Sequence, residues 1–276
     1  MSVDYIAESM HNIIHMEIYL SVMFGLIGAC IGSFLNVVID RLPSGKSLVR
    51  PPSHCEACGR QLSIVDLIPV FSYIALFGRC RTCKVRIPLR ILLVELGCGL
   101  LLGLLCFYKG LTLDFAIIAL YSFVFIAIGL IDLRTKLILN KMVYPSLIVA
   151  LIISPFFLSE RFISSPFGGM LNGLTGAGVG FVALLIPVVV TMGRGMGFGD
   201  VKMAALIGLT TGFAGVLVAV LGGIILGGLV AVILLVTGIK NRKEAIPFGP
   251  FLSLATIVTL LWGPAILHWY MGIFTP

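Results

Sequence analysis

The sequence predicts an all-α, polytopic membrane protein with about eight transmembrane helices. The chain is 59% hydrophobic and only 11% charged, with a mean hydropathy of +1.14, whereas a soluble domain carries about 25% charged residues. Several apolar runs approach the roughly 20 residues needed to cross a bilayer. The basic residues are concentrated in a few short loops, as in multi-pass membrane proteins. The lipid bilayer is therefore an expected partner.

The apolar segments define the predicted helices in order. They cover residues 17–39, 89–108, 112–131, 141–158, 170–192, 200–213, 214–237 and 249–273. Gly212 is the only helix breaker between the sixth and seventh segments, and the sixth is short for a full crossing. Small residues four positions apart predict close helix contacts. These pairs are Gly176/Gly180, Gly208/Gly212 and Gly223/Gly227.

The distribution of positive charge predicts the orientation. With the N-terminus outside, the inside loops are 40–88, 132–141, 193–202 and 238–248, with Arg90 just beyond the first. They contain seventeen of the nineteen lysines and arginines, and such an excess marks the cytoplasmic side. The net charge of +7 therefore reflects topology, and we expect no nucleic-acid partner.

Four cysteines lie in the longest of these basic loops. Cys55-x2-Cys58 and Cys80-x2-Cys83 are separated by 21 residues. A reducing cytoplasm disfavours structural disulfides, and two such knuckles at this spacing are typical of a tetrahedral zinc site. Four thiolates leave no open position for water, so we expect a structural zinc rather than a catalytic one. Redox pairing is the alternative.

Two acids lie at the ends of apolar segments on the predicted cytoplasmic side. Asp132 follows the third segment, and Asp200 ends the tetrapeptide Gly197-Phe198-Gly199-Asp200. A carboxylate at the bilayer centre costs about 2.5–3.5 kcal/mol on insertion scales, so these acids require an explanation. Two carboxylates that share a proton form the catalytic pair of aspartic peptidases. The alternative is a pair of interfacial acids, with Asp132 neutralised by Arg134 or Lys136 and Asp200 by Lys202.

A third acid, Glu95, lies inside the second apolar segment. It could bind a positive group such as a newly formed α-amine, or it could pair with a neighbouring helix. The sequence leaves both interpretations open.

Several motifs together resemble those of the bacterial type IV prepilin peptidases, also called leader peptidase/N-methyltransferases, which are GxGD-type aspartic membrane peptidases. The matching segments are 32–43, the four-cysteine loop, Asp132-Leu133-Arg134-Thr135, Gly197 to Lys202, and Pro247-Phe248-Gly249-Pro250. The resemblance runs from about residue 20 to residue 262. It divides the chain into residues 1–39 (N-terminal tail and first helix), 40–90 (cytoplasmic zinc-type domain) and 91–276 (transmembrane peptidase domain).

The resemblance implies an activity and a location. The enzyme would cleave the basic leader of type IV prepilins or pseudopilins at the cytoplasmic face of the bacterial inner membrane. It would then methylate the new N-terminus with S-adenosylmethionine, serving pilus assembly or protein secretion. Asp132 and Asp200 would be catalytic, and Gly197, Gly199 and Lys202 would belong to the motif that approaches the substrate. Glu95 is our candidate for methyl transfer.

Two other functions are weighed against this one. A GxGD peptidase without methyltransferase activity, as in archaeal preflagellin peptidases, would lack the cysteine-rich loop. The second is non-enzymatic: a zinc-ribbon membrane scaffold or a transporter, in which the acids would relay protons. Transporters usually show inverted repeats and acids near the bilayer midplane.

Overall fold

The computed structural model describes residues 3–162, 166–193, 196–239 and 246–274. The helices are α1 (Val3–Arg41), α2 (Phe71–Ala75), α3 (Leu89–Lys109), α4 (Leu113–Thr135), α5 (Asn140–Phe162), α6 (Pro166–Val190), α7 (Phe198–Val236) and α8 (Gly249–Phe274), with a 3₁₀ turn at Ile64–Leu67. Within these residues there is no β-sheet, and extended pairing is limited to two isolated bridges in the loop between α1 and α3. The predicted all-α fold class is confirmed.

Seven helices among the described residues are long and apolar enough to cross a membrane. They are His15–Arg41 within α1, Leu89–Lys109, Leu113–Thr135, Asn140–Leu158, Phe167–Val190, Phe198–Val236 and Gly249–Ile273. Six of them agree closely with predicted segments. The 39-residue α7 contains the predicted sixth and seventh segments together. Whether the chain has seven or eight membrane-spanning segments therefore depends on whether α7 is one helix or two.

The chain reverses direction within α7 at Gly212. Gly212 has φ 73° and ψ −178°. This conformation is not helical, and glycine adopts it more readily than any other residue. A methyl group placed on Gly180 of α6 would touch both the carbonyl oxygen of Ala204 and Cγ2 of Val216. In a continuous helix, positions this far apart in sequence would be about 18 Å apart. Residues 198–211 and 213–236 are thus two helical segments joined at the glycine that the sequence indicated.

The first compact unit comprises Met1–Ala119. In it, α1 and α3 run antiparallel and pack through small residues. A methyl group on Gly32 would lie 2.8 Å from Cα of Glu95, and one on Gly99 would lie 2.9 Å from the carbonyl oxygen of Gly25. Asn36 continues this contact by donating from Nδ2 to the carbonyl oxygen of Ile91 at 3.1 Å. We did not anticipate this seam from the sequence.

The second compact unit comprises Leu120–Pro276 and contains the rest of α4 with α5 to α8. The predicted small-residue contacts are present: a methyl group on Gly208 would overlap the backbone of Gly176, and one on Gly223 would lie 2.8 Å from the side chain of Leu252. These close approaches hold α6, α7 and α8 together. The domain boundaries expected from the sequence remain a prediction.

Candidate functional site

Asp132 lies in the last helical turns of α4 and is held by the start of α8. Asp132 is buried, with only 5% of its surface exposed. Oδ2 accepts a hydrogen bond from the backbone N–H of Gly249 at 2.9 Å. A methyl group on Gly249 would lie 2.6 Å from that same oxygen, so no larger residue fits here without displacing the acid. The sequence identified the motif that contains Gly249 but gave this glycine no role. The contact with Asp132 supplies one.

Asp200 lies in the first turn of α7, where Gly197 is the N-cap. Its Oδ2 accepts the backbone N–H of Gly197 at 3.2 Å, which is the acidic half of a capping box. Glycine has no side chain to supply the other half. Asp200 is 8% exposed, so a carboxylate is buried at the positive end of a helix dipole.

The structure brings the two predicted acids near each other. The charge of Asp132 acts on the carboxyl group of Asp200. The loop that follows Asp132 also contacts the glycine motif, because a methyl group on Gly199 would lie 2.9 Å from Cβ of Ile138. Gly197 differs from Gly199: a methyl group there would come no closer than 3.8 Å to Oδ2 of Asp200. Among the described residues, no atom therefore crowds the side of Gly197 next to the acid.

Lys202 is tied to α5 rather than to either acid. Its Nζ donates to Oδ1 of Asn140 at 3.0 Å. It also lies over the ring of Tyr144 at 5.4 Å and that of Phe198 at 6.0 Å. The contact with Asn140 joins the first turn of α7 to the first turn of α5. The ion pairs of the described residues do not include one between Lys202 and Asp200.

The four predicted cysteines converge. The Sγ atoms of Cys55, Cys58, Cys80 and Cys83 all lie within 4.8 Å of one another. Those of Cys55 and Cys83 are 3.7 Å apart, and thiolates around a tetrahedral zinc with Zn–S near 2.3 Å are about 3.8 Å apart. The cluster therefore has the dimensions of a zinc site.

The two knuckles repeat the same backbone pattern. Gly59 N donates to the carbonyl of Cys55 at 2.8 Å, and Lys84 N donates to the carbonyl of Cys80 at 3.1 Å. Both turn residues have positive φ, 68° at Gly59 and 59° at Lys84. Lysine rarely adopts a positive φ, so Lys84 is poorly suited to the turn of the second knuckle.

Backbone N–H groups favour thiolates in this cluster. The N–H groups of Cys83 and Thr82 lower the pKa of Cys80 to about 6. An N–H of Val85 also lowers the pKa of Cys83, but burial and the neighbouring thiols outweigh it and raise that pKa to about 11. The neighbouring thiols thus lower the pKa of Cys80 and raise that of Cys83, and a bound cation would favour the thiolate form of all four cysteines.

Asp66 organises the cysteine loop from one side. It accepts hydrogen bonds from Arg60 and Arg81, each at 2.8 Å, and its side chain is only 3% exposed. Arg81 and the Ser63 side chain and backbone hold the pKa of Asp66 at about 2. Arg60 lies two residues after Cys58 and Arg81 lies between Cys80 and Cys83, so this acid connects the two knuckles.

Glu95 is buried in α3 and contacts the loop before α2. It is 5% exposed, and its Oε2 accepts the backbone N–H of Val70 at 2.8 Å. Val70 has φ 64° and ψ −52°, and Phe71 N donates to the carbonyl of Pro69 at 2.6 Å. This is a strained γ-turn, unusual for a β-branched residue. Glu95 therefore holds a strained turn, a role that neither interpretation from sequence included.

Comparison with known proteins identifies the family. Residues 26–109 match the family model described as the bacterial peptidase A24 N-terminal domain, and residues 118–232 match the type IV leader peptidase family. A Stutzerimonas stutzeri protein named prepilin leader peptidase/N-methyltransferase is 32% identical over 273 residues, 89% of this chain and 92% of its own. This chain belongs to the type IV leader peptidase family.

Other relatives carry the same name. The Pseudomonas aeruginosa protein is 32% identical over 273 residues, covering 89% of this chain and 91% of its own. The Bacillus subtilis protein is 29% identical over 252 residues, covering 91% of this chain and 98% of its own. No solved structure matches the chain significantly. The resemblance inferred from the motifs is confirmed, and the family match leaves the scaffold and transporter interpretations without support.

Several contacts of the site were not predicted from sequence. The N–H donor at Gly249 was visible only as part of the Pro247–Pro250 motif, and a Gly-Pro pair at a helix start could have signalled it. The contacts of Lys202 with Asn140 and Tyr144 had no signal, because they join elements far apart in sequence.

Proposed function

We propose that this protein removes the leader from prepilins or pseudopilins with Asp132 and Asp200, and then N-methylates the new N-terminus. The observation that carries the proposal is the paired placement of the two buried acids. Each presents one oxygen to a glycine N–H at the start of a helix. This leaves the second oxygen of each carboxyl group for a water and a scissile carbonyl.

Hydrolysis follows from one ionised and one protonated acid. The ionised carboxylate removes a proton from water as its oxygen attacks the carbonyl carbon, and the protonated acid gives its proton to the carbonyl oxygen. As the tetrahedral species collapses, the C–N bond breaks and the departing nitrogen takes the proton that the first acid removed from water, becoming the new α-amine. The second acid recovers its proton from the hydroxyl group that becomes the carbonyl oxygen. We expect a separation of the two carboxyl groups of about 7 Å or less with substrate bound, since one water must reach both.

The glycine motif supports access by an extended peptide. A helical peptide bond is shielded by its own hydrogen bonds, so the substrate must unwind near the acids. Gly197 leaves the space beside Asp200 open, whereas Gly199 is needed for contact with Ile138. We assign Gly197 to substrate approach and Gly199 to packing. Lys202 positions α7 against Asn140.

Methyl transfer belongs, in our proposal, to the N-terminal unit. Residues 26–109 match the bacterial peptidase A24 N-terminal domain, and a relative named an N-methyltransferase matches 89% of this chain, which disfavours a peptidase without this activity. S-adenosylmethionine supplies an electrophilic methyl group. Glu95 would accept the proton that the α-amine loses, because a methyl acceptor must be a neutral amine. Its contact with Val70 supports a structural role as well.

Zinc and membrane orientation complete the proposal. Cys55, Cys58, Cys80 and Cys83 would hold one structural zinc, a group that fits their mutual distances. The protein is a multi-pass membrane protein. We place its N-terminus outside and both acids at the cytoplasmic face of the inner membrane, on the distribution of lysine and arginine.

The experiment combines purified protein, a prepilin and S-adenosylmethionine, with mass spectrometry of the N-terminus. Wild type should yield cleaved, methylated product. Asp132→Asn and Asp200→Asn should each abolish cleavage while the protein remains folded and inserted, because each amide is nearly isosteric but cannot exchange a proton. Full cleavage by either variant would remove that acid from the pair.

A second arm separates the two activities. Glu95→Gln can still accept the N–H of Val70 through its amide oxygen but cannot accept a proton. Normal cleavage with unmethylated product would support the proposed role. Normal methylation by this variant would end it and leave Glu95 as the anchor of the turn.

A further inference from the structure

The cytoplasmic end of the α1–α3 seam contains two buried polar atoms that the fold does not use. Oδ1 of Asn36 and Nη1 of Arg90 are both buried, and neither has a hydrogen-bond partner among the described residues. Native proteins rarely leave such atoms unpaired, and each one calls for a bound water, ion or ligand as its explanation.

The amide orientation of Asn36 is fixed by its other contact. Its Nδ2 faces the carbonyl oxygen of Ile91, which can only accept. The unused atom is therefore an acceptor. Arg90 is held similarly: Nη2 donates to both oxygens of Asp40, at 2.8 and 3.0 Å. Its unused Nη1 is a donor that carries positive charge.

The two atoms belong to neighbouring positions in the seam. Arg90 directly precedes Ile91, whose carbonyl Asn36 contacts, and Asp40 lies one turn beyond Asn36 on α1. One helical turn along α3 from Ile91 is Glu95, whose Cα faces Gly32 of α1. A cationic donor, a neutral acceptor and a carboxylate thus follow one another along a single seam.

We infer that Asn36 and Arg90 bind the α-amino acid end of S-adenosylmethionine. Nη1 of Arg90 would donate to its carboxylate, and Oδ1 of Asn36 would accept from its ammonium group. The inference rests on the proposed methyltransferase function and assigns that function a binding site.

The length of the ligand agrees with the position of Glu95. Three bonds of about 1.5 Å separate the α-carbon of the methionyl group from its sulfur, a reach of roughly 4 Å. One helical turn is about 5.4 Å. An amino acid end anchored at Arg90 and Asn36 can therefore bring the methyl group to the level of Glu95, where the acceptor amine would lose its proton.

A covered site requires an opening, and the strained turn at Val70 supplies one. Its N–H is held by Glu95 at 2.8 Å, and its backbone conformation is strained for a β-branched residue. Release of this hydrogen bond lets the turn relax and move off α3. We expect ligand binding to change the hydrogen exchange of the Val70 and Phe71 amides.

The test compares two ligands that differ only in the amino acid end. S-adenosylhomocysteine carries it, and 5′-methylthioadenosine lacks it, while both retain the adenosine and a neutral sulfur. Kd values for both are measured with the full-length protein in nanodiscs. Wild type should bind S-adenosylhomocysteine more tightly, and loss of a charge-assisted contact should cost roughly tenfold in affinity.

Asn36→Leu and Arg90→Gln should each reduce the ratio of the two Kd values by roughly tenfold, through weaker S-adenosylhomocysteine binding alone. Arg90→Lys keeps the charge and should retain part of the preference. Arg86→Gln is the matched control, since Arg86 is exposed and lies four residues before Arg90; its ratio should equal that of wild type. Prepilin cleavage, measured on each preparation, reports folding independently.

The outcomes separate the inference from the function on which it rests. If wild type prefers S-adenosylhomocysteine and the Asn36 and Arg90 variants keep that preference, the amino acid end binds elsewhere and the inference is wrong. If wild type binds neither ligand, the inference is also wrong. Absence of methylated product in that case would refute the proposed methyltransferase function itself.

Discussion

Replacement of Gly249 by alanine tests the most specific contact of the candidate active site. The added methyl group would lie 2.6 Å from Oδ2 of Asp132 and 3.0 Å from both Cβ and Cγ. Contacts below 3.0 Å are not tolerated, so either the acid rotates or the start of α8 withdraws. Both movements break the 2.9 Å hydrogen bond from the Gly249 N–H.

The magnitude follows from that bond. A hydrogen bond to a charged group contributes about 1.5–3 kcal/mol, and each 1.36 kcal/mol of transition-state stabilisation corresponds to a factor of ten in rate. We expect kcat for leader cleavage to fall roughly 10- to 100-fold. Methylation of an already cleaved pilin should be unchanged, because it depends on the N-terminal unit in our proposal.

The control is Gly178→Ala in α6, where an added methyl group would meet no atom of the described residues within 4 Å. It should cleave normally and gain up to about 1 kcal/mol in stability, as alanine replaces glycine within a helix. Both variants are assayed with the same prepilin in the same lipid. Normal kcat in Gly249→Ala would show that this contact does not position Asp132 for the reaction.

Three further predictions concern the zinc loop and the glycine motif. Elemental analysis should show that Cys80→Ser has lost its bound zinc and that Cys30→Ser, the control, has kept it. The loop of Cys80→Ser should be less stable, while leader cleavage persists. Wild-type protein that contains no zinc although its thiols are reduced would contradict the proposed site. Because the pKa of Asp66 falls from 3.8 to about 2 on folding, its contribution to stability is complete above about pH 4 and disappears as the pH falls through 2. Hydrogen exchange should therefore show a loop destabilised in Asp66→Asn at neutral pH, with the difference from wild type vanishing in acid; a difference independent of pH would refute this. Gly197→Ala should fold normally, since its φ of −83° suits any residue, but should raise KM for prepilin by crowding the open side of Asp200, and an unchanged KM would remove Gly197 from the substrate path.

The sequence predicted features that depend on local composition. Apolar runs identified the helices because burial in lipid requires them, and Gly212 was recognisable as a break because glycine tolerates positive φ. The cysteine cluster was predictable because ligand spacing within a knuckle is local. Asp132 and Asp200 stood out because a buried carboxylate is costly.

The contacts that hold these groups were not predictable in the same way. The hydrogen bond from Gly249 to Asp132 spans 117 residues of sequence, and the one from Lys202 to Asn140 spans 62. Hydropathy fixes which residues are buried but not which helix ends meet. A single sequence therefore identifies the acids and leaves their partners to the structure.

A common arrangement links the two acids to the glycines beside them. Each carboxylate receives one N–H, from the N-cap of α7 or the first residue of α8, and a helix N-terminus stabilises negative charge. The donor is glycine both times, but for different reasons. At Gly249 a side chain would strike Asp132, whereas at Gly197 an added methyl group would lie 3.8 Å from Oδ2 of Asp200, without a clash among the described residues. Packing explains the first glycine, and we propose that access of the substrate explains the second. In our proposal the substrate therefore approaches from the side of Asp200, while Asp132 is supported by the start of α8.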